Sequence, residues 1–270
     1  MKGMRNAALV LAAIVALAPL VWMAETSLKS NREITQDGTL YPHSLTLDNY
    51  RSLFSGRDFG SYLRNSIGIT TLSVLFSLVI GSLAAYSLAR FRLRYGAERH
   101  IGVGLLTLRI LPPIVIIVPA FLLVQRLHVL NTWVGLIVIY TAFNVSFVVW
   151  MMESFFREIP VDLEEAAMMD GDSRLTAFRR IVLPLARPGL VATAIFAVIV
   201  TYNEFLFALV LTSTPSSETM PVGAATLIGR INVDWGAMSA AGIVGALPIV
   251  IFALLVQRHL VRGLTMGAVK

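Results

Sequence analysis

The chain has 270 residues, of which 56% are hydrophobic and only 14% charged, and its mean hydropathy is +0.75. An average soluble domain carries about a quarter charged residues, so a water-soluble fold is excluded and one polytopic membrane domain is expected. The formal net charge is +6 and there is no cysteine, which excludes disulfides, thiolate chemistry and cysteine-based metal sites.

Lys2 and Arg5 precede an apolar run over 7–24 that is long enough to cross a bilayer. Ala16 and Ala18 offer a cleavage-like A-x-A pattern, but Pro19 would follow the cut and the run continues past it, so an uncleaved first helix is expected. Residues 25–63 are polar and form a first external loop; 65–89 is the second span, followed by a basic internal loop with Arg90, Arg92, Arg94 and Arg99. The third span, 101–124, contains Pro112, Pro113 and Pro119. Prolines free backbone carbonyls that neighbours or water must satisfy, so this helix is expected to be kinked and packed inside the bundle. A turn over 127–132 leads to span four, 133–152; span five covers 190–211, a second external loop 212–235, and span six 237–256.

Six spans put both ends on one side of the membrane. With the ends inside, fourteen lysines and arginines fall on the interior segments and seven on the exterior, while Arg109 lies within a span. That bias places the termini and the segment 162–188 in the cytoplasm, and it explains the basic charge better than nucleic-acid binding does, because the charges are scattered among loops. The expected organisation is a first helix and external loop over 1–60, the main transmembrane domain over 61–258, and a cytoplasmic tail over 259–270. No internal repeat is visible.

Between spans four and five lies the longest charged segment outside a span, DLEEAAMMDGDSRLTAFRRIVLPLARP. Asp162 followed by Glu165 reads as an N-cap with its capping-box partner, starting a helix at Leu163. Gly171 ends that helix, because glycine takes the left-handed conformation without the steric cost a side chain brings. Asp172 or Ser173 then caps a second helix that runs to Pro184, where the missing N–H should stop it. The product is a knob of helix, glycine turn and helix, with Ala166 and Ala167 small enough to let another backbone approach.

Glu165, Ala166, Ala167, three residues, Gly171, nine residues, Ile181, one residue, then Leu183 and Pro184: this spacing resembles the complete EAA-loop signature of the membrane subunits of binding-protein-dependent ABC importers. The resemblance implies an all-α membrane protein with the six transmembrane helices of the type I ABC importer permease fold. It also implies a cytoplasmic coupling helix seated in a groove of a homodimeric ABC ATPase, with Glu164 and Asp170 on the same coupling surface. YNEFLFALVLT, Met220 to Gly223 and the ending QRHLVRGLTMGAVK are similar to the maltose-type sugar permeases, in particular the second of their two permease subunits. That likeness runs from about residue 65 onward. It implies import of a di- or oligosaccharide, a homologous second permease subunit and an extracytoplasmic sugar-binding protein approached by the loop before the last span. It further implies a Gly-Ala-Val-Lys tail reaching between the two ATPase subunits.

Catalytic signatures are missing. The only lysines are Lys2, Lys29 and Lys270, and none stands in a phosphate-binding loop, so ATP and Mg belong to the partner ATPase and this chain binds no cofactor. His43, His100, His128 and His259 fall in loops or at span ends, and neither H-E-x-x-H nor G-x-S-x-G occurs. Two intramembrane charges remain. Arg109 lies about 12 Å past the start of span three at 1.5 Å per residue, and Glu204 sits in span five beside Asn203. Charges there cost at least a few kcal/mol in lipid, so both should face the interior or a wet cavity, and Asn203 and Glu204 are expected to line the substrate route or the subunit interface. For Arg109 a structural contact is an equal reading. An importer of glycerol phosphodiesters, polyamines or another small solute is the alternative within the family. An ion-driven secondary transporter would need acids or broken helices in repeated halves.

Overall fold

The computed structural model describes residues 2–37, 41–91, 97–229 and 233–266. Among the described residues, four helices are long and apolar enough to cross a membrane in one piece: α1 (Lys2–Ser27), α3 (Phe59–Arg90), α6 (Trp133–Glu158) and α13 (Trp235–Met266). The two remaining apolar runs are interrupted. The third is split into α4 (Ala97–Ile110) and α5 (Pro113–Arg126), and the fifth into α10 (Arg187–Tyr202) and α11 (Leu206–Leu211).

The expected kink in the third run is therefore a complete break. Pro112 and Pro113 lack the N–H groups needed to continue α4, Pro112 adopts an extended ψ of 134°, and Pro113 opens α5 where a missing N–H costs nothing. Pro119 lies inside α5. The second span starts earlier than its apolar run suggests, at Phe59 rather than residue 65, because Phe59 and Tyr62 are buried and extend the packed face by more than a turn.

Pairing of α3 with α6 forms the centre of the bundle. The face that α3 buries carries Ser66, Ser73, Ser77, Gly81, Ser82 and Ala85 at helical spacing. Small residues let two helices approach closely where lipid gives apolar side chains no reason to prefer each other. α10 and α13 pack beside this pair, and α1 lies along α13 with its apolar residues from Met4 to Trp22 largely exposed to the surroundings. Met23, near the end of α1, meets Gly242, near the start of α13, so these two helices run antiparallel and the first and last described residues lie toward the same end.

At the opposite end, α2 (Asp48–Gly56) caps the bundle. Asn49 donates from Nδ2 to the carbonyls of Ser27 at 2.9 Å and Lys29 at 2.8 Å, fixing α2 across the end of α1. The connection before α13 is not an open loop either. It contains α12 (Met220–Ala225), which sinks between α3 and α13 with Met220, Val222 and Gly223 buried. Ser66 Oγ accepts from the Met220 N–H at 2.7 Å.

At the first end a hairpin projects between α6 and α10: α7 (Asp162–Met169), α8 (Arg174–Ala177), a π turn over Phe178–Val182 and α9 (Leu183–Leu185). The chain bends by 74° between this segment and α10. α13 continues without interruption past the anticipated start of a tail at 259, and residues 267–270 lie outside the described residues.

A Cβ added at Gly223 would overlap the ring of Tyr62, whereas one added at Gly104 would meet nothing within 4 Å. Gly223→Ala should therefore cost about 1–3 kcal/mol as overpacking, read as a lowered melting temperature of the detergent-solubilised protein, with Gly104→Ala close to wild type.

Candidate functional site

The projecting hairpin is built largely as its residues predict, with two corrections. α7 is initiated by the carbonyl of Val161, which accepts from the N–H groups of Glu164 at 2.9 Å and Glu165 at 3.1 Å. No side chain caps it, so Asp162 is a first-turn residue rather than the N-cap, and there is no capping box with Glu165. Asp162, Glu164 and Glu165 all occupy that first turn, where carboxylates complement the positive end of the helix dipole. The other end follows expectation. Gly171 has φ +97°, its N–H bonds the Met168 carbonyl at 3.2 Å, and Asp172 N–H bonds Ala167 at 3.0 Å, the paired closure that a left-handed glycine permits.

Ser173, not Asp172, caps α8, accepting from Thr176 N–H at 3.3 Å; Asp172 instead pairs with Arg180 at 3.4 Å. The second correction concerns Pro184. The helical path does not stop there, because the π turn shifts the hydrogen-bond register: Leu183 N–H reaches back to Phe178, and Pro184 falls in the first turn of α9. The stop comes at Ala186, where the axis turns into α10.

One face of the hairpin is anchored and the other is open. Glu164, placed by resemblance on a coupling surface, is buried: its Oε1 receives Arg90 Nε at 2.5 Å and its Oε2 receives the Tyr86 hydroxyl at 2.6 Å, and both charged side chains are only 5% exposed. Arg90 also donates to the Ile159 carbonyl at 2.9 Å, so one guanidinium joins the end of α3, the end of α6 and α7. Phe178 from the π turn packs against Tyr86 and Phe156 with ring centroids 4.6 and 5.9 Å away, and Val182 is buried in the same cluster. Ala167 is likewise turned inward and buried. Facing out are Glu165, Ala166, Asp170 and Pro184, with Ile181 and Leu183 half-buried. The exposed apolar tip consists of Met169 at 88%, Leu175 at 51% and Leu163 at 44% exposure.

Sequence reasoning missed Tyr86, Arg90 and Phe178. Arg90 reads as one more basic residue after a span, and nothing local distinguishes it from Arg92. Phe178 left a signal: Ala177, Phe178 and Val182 form an apolar stripe between the exposed Arg179 and Arg180.

The second site is the break in the fifth run. Asn203 and Glu204 do not interrupt a continuous helix as polar intruders; they end one helix and begin another. Asn203 Nδ2 donates to Ile199 carbonyl at 2.8 Å, and Glu204 accepts from the N–H groups of Phe207 at 3.0 Å and Ala208 at 3.3 Å. Tyr140 on α6 donates its hydroxyl to Glu204 at 2.7 Å. The backbone groups freed at the break are thus met inside the protein, as an apolar surrounding requires. Asn203 is exposed and Glu204 half-buried, and one turn below, Asn144 Nδ2 donates to Thr201 at 2.7 Å.

Asn144 also lines a cleft of about 400 Å³ beside the break in the third run, together with Leu111, Pro113, Phe143 and Val200. Arg109 stands at the penultimate position of α4, two residues before Leu111; its side chain is outside the described residues. Beyond the break, Asn131 Oδ1 accepts from Ser213 N–H at 2.9 Å and from the Thr214 hydroxyl at 3.1 Å. Asn65 Nδ2 reaches the carbonyls of Pro215 at 2.9 Å and Glu218 at 2.8 Å, holding 213–218 against the bundle. Among the described residues no group of three or more histidines or acids is arranged to hold a metal ion.

A multi-pass helical bundle with broken third and fifth spans and a rigidly seated hairpin at one end defines a membrane transport subunit. The model of the binding-protein-dependent transport system inner membrane component family matches residues 77–266, and the chain belongs to that family. It is 41% identical over 257 residues to the trehalose transport system permease protein SugB of Mycobacterium tuberculosis, covering 94% of this chain and 93% of the relative. It is 36% identical over 264 residues to the trehalose/maltose transport system permease protein MalG of Thermococcus litoralis, covering 97% and 94%. Among solved structures, a subunit of a bacterial ABC transporter that imports the acidic polysaccharide alginate superposes with a TM-score of 0.80 at 24% identity, covering 95% of both chains. The fold is that of the type I ABC importer permeases.

Arg90→Ala leaves the Glu164 carboxylate buried without its charge partner and should destabilise the hairpin by about 3–5 kcal/mol, whereas Tyr86→Phe removes one hydrogen bond and should cost about 1 kcal/mol. Faster amide exchange over 162–185 in the first variant, with α3 and α6 still protected, is the expected readout. Glu204→Ala leaves the Tyr140 hydroxyl and two N–H groups without an acceptor at about 1–3 kcal/mol each; Glu204→Gln, which still accepts, should melt closer to wild type in the same detergent.

Proposed function

We propose that this chain is one permease subunit of an ATP-driven importer that moves a di- or oligosaccharide across the cytoplasmic membrane by alternating access. A homologous second permease, a homodimeric ABC ATPase and an extracytoplasmic sugar-binding protein would complete the assembly. The observation that carries this reading is the hairpin: an exposed apolar tip on a base locked to α3 and α6 by a buried ion pair. A tip of that kind suits a protein groove, and a base of that kind passes a push to α3, α6 and α10 instead of absorbing it.

Orientation follows from the basic residues, which favour the hairpin side by two to one and so support a cytoplasmic hairpin and cytoplasmic termini. ATP and Mg stay on the ATPase, since this chain offers no phosphate-binding loop. Closure of the ATPase dimer would draw two such hairpins together and reorient the bundles. The cleft at Asn144, with that amide and Ser146 among aromatic and aliphatic walls, fits a ligand that has hydroxyls on its edge and C–H groups on its face. The names of the relatives, for trehalose and maltose, support a sugar.

Within the hairpin the roles divide. Glu165, Ala166, Asp170, Ile181, Leu183 and Pro184 lie on or near the open face and would meet the ATPase, while Glu164 and Ala167 act from below by holding the shape. Gly171 keeps α7 and α8 at their angle. Asn203, exposed beside the broken fifth run, would meet substrate or the second permease.

Met169→Asp puts a charge on the most exposed apolar residue of the hairpin without touching the buried base. It should reduce ATPase co-purification by at least tenfold while the permease keeps its melting temperature; unchanged co-purification would remove the hairpin tip from the contact. Gly171→Val forces a β-branched residue into φ +97° and should lower transport per ATP hydrolysed in reconstituted vesicles.

A further inference from the structure

Away from both sites, where α1 meets the start of α13, a cleft of about 440 Å³ is lined by Trp22, Thr26, Lys29, Glu33 and Trp235 among others. Two of these residues are charged and almost wholly covered: Lys29 is 3% and Glu33 is 8% exposed. Lys29 Nζ stands 5.3 Å from the centre of the Trp22 ring. Glu33 Oε1 accepts from the N–H and hydroxyl of Ser44 at 3.1 and 3.3 Å, but Oε2 is buried with no hydrogen-bond partner among the described residues. A buried carboxylate oxygen without a donor is costly, and such groups are ordinarily met by water, an ion or a ligand.

The surroundings indicate which ligand. Trp22 and Trp235 are each about half exposed beside strongly apolar helix surface, the placement tryptophan takes at the boundary between lipid and water. Trp22 also borders a second cleft, of about 380 Å³, that runs down the exposed side of α1 from Glu25 along Val21, Ala18, Leu17 and Ile14, so that it is apolar below its first residue. A polar compartment holding one positive and one negative charge therefore opens onto an apolar groove that descends into the bilayer zone. A small soluble amine would have no use for that groove.

We propose that this is a binding site for a phospholipid whose headgroup carries a primary ammonium. The ammonium donates to Glu33 Oε2, the phosphate lies on the Lys29 side of the cleft, and an acyl chain follows the groove below Trp22. A choline headgroup has no N–H to donate and leaves Oε2 unsatisfied, so the site discriminates between two zwitterionic lipids of nearly the same size.

Native mass spectrometry of the full chain, in the assembly in which it purifies, tests this after exchange into vesicles containing equal mole fractions of phosphatidylethanolamine and phosphatidylcholine. The expected result is retention of phosphatidylethanolamine at least fivefold over phosphatidylcholine. Glu33→Gln should bring that preference close to one, and Asp48→Asn, an exposed carboxylate nearby, should leave it intact. Ala18→Trp, which fills the groove and leaves Glu33 in place, should lower retention as well and covers the case in which the Glu33 variant does not fold. Equal retention of the two lipids, or a preference that survives both Glu33→Gln and Ala18→Trp, overturns the site. Displacement of the lipid by millimolar soluble phosphoethanolamine overturns the lipid assignment in favour of a free-amine site.

Discussion

A buried ion pair at the rim of a membrane bundle is an expensive way to fasten two helices, since each charge gives up water and recovers little beyond what apolar packing would provide. The bond between Glu164 and Arg90 is nonetheless the joint on which this molecule turns. Arg90 ends α3, reaches the carbonyl of Ile159 after α6, and holds Glu164 on α7, while Tyr86 occupies the second carboxylate oxygen. What such a joint provides and a greasy contact does not is direction: hydrogen bonds to three backbone elements fix how the hairpin is rotated as well as how closely it sits. Phe178, wedged between Tyr86 and Phe156, adds the apolar half of the same attachment.

From that joint the consequences run in two directions. Outward, locking Glu164, Ala167, Phe178 and Val182 inward leaves Leu163, Met169 and Leu175 nowhere to go but the surface. Inward, the 74° bend at Ala186 joins the hairpin directly to α10, whose far end is the break at Asn203 and Glu204. The stiff hairpin and the interrupted fifth helix are thus successive parts of one path. A displacement at the tip arrives at a place where the backbone has already been freed from helical geometry and its polar groups are met by Glu204 and Asn203, with the Tyr140 hydroxyl holding the Glu204 carboxylate. Unwound backbone in a membrane bundle is tolerated where protein or a cavity surrounds it, and the cleft at Asn144 lies close by.

The prolines and polar residues within apolar runs were legible as irregularities but not as to kind. Pro112 and Pro113 announce that the third run cannot be a regular helix, yet kink and break differ only in whether neighbours can take over the lost hydrogen bonds. Glu204 is similar: its charge marks it as interior, but as a cap on α11 it depends on Tyr140, sixty-four positions away in the chain. The loop over 212–235 read as external because it is polar, while Met220, Val222 and Gly223 are buried by the close approach of Tyr62 that Gly223 permits.

What the sequence by itself determined was whatever depends on neighbours along the chain: the six apolar runs, the glycine turn at Gly171, a cap at Asp172 or Ser173 just after it, and the spacing that marks the family. Hydrophobic length and backbone conformation are local properties, and they survive being read one window at a time. The tertiary structure alone decided which polar residues are partners, because burial turns an ordinary side chain into an anchor and only the packed bundle says which ones are buried. Glu164 and Glu165 are adjacent, alike in chemistry and both in the first turn of α7. One is locked beneath the hairpin and the other faces solvent, since a step of about 100° around a helix carries the first toward Arg90 and the second away from it.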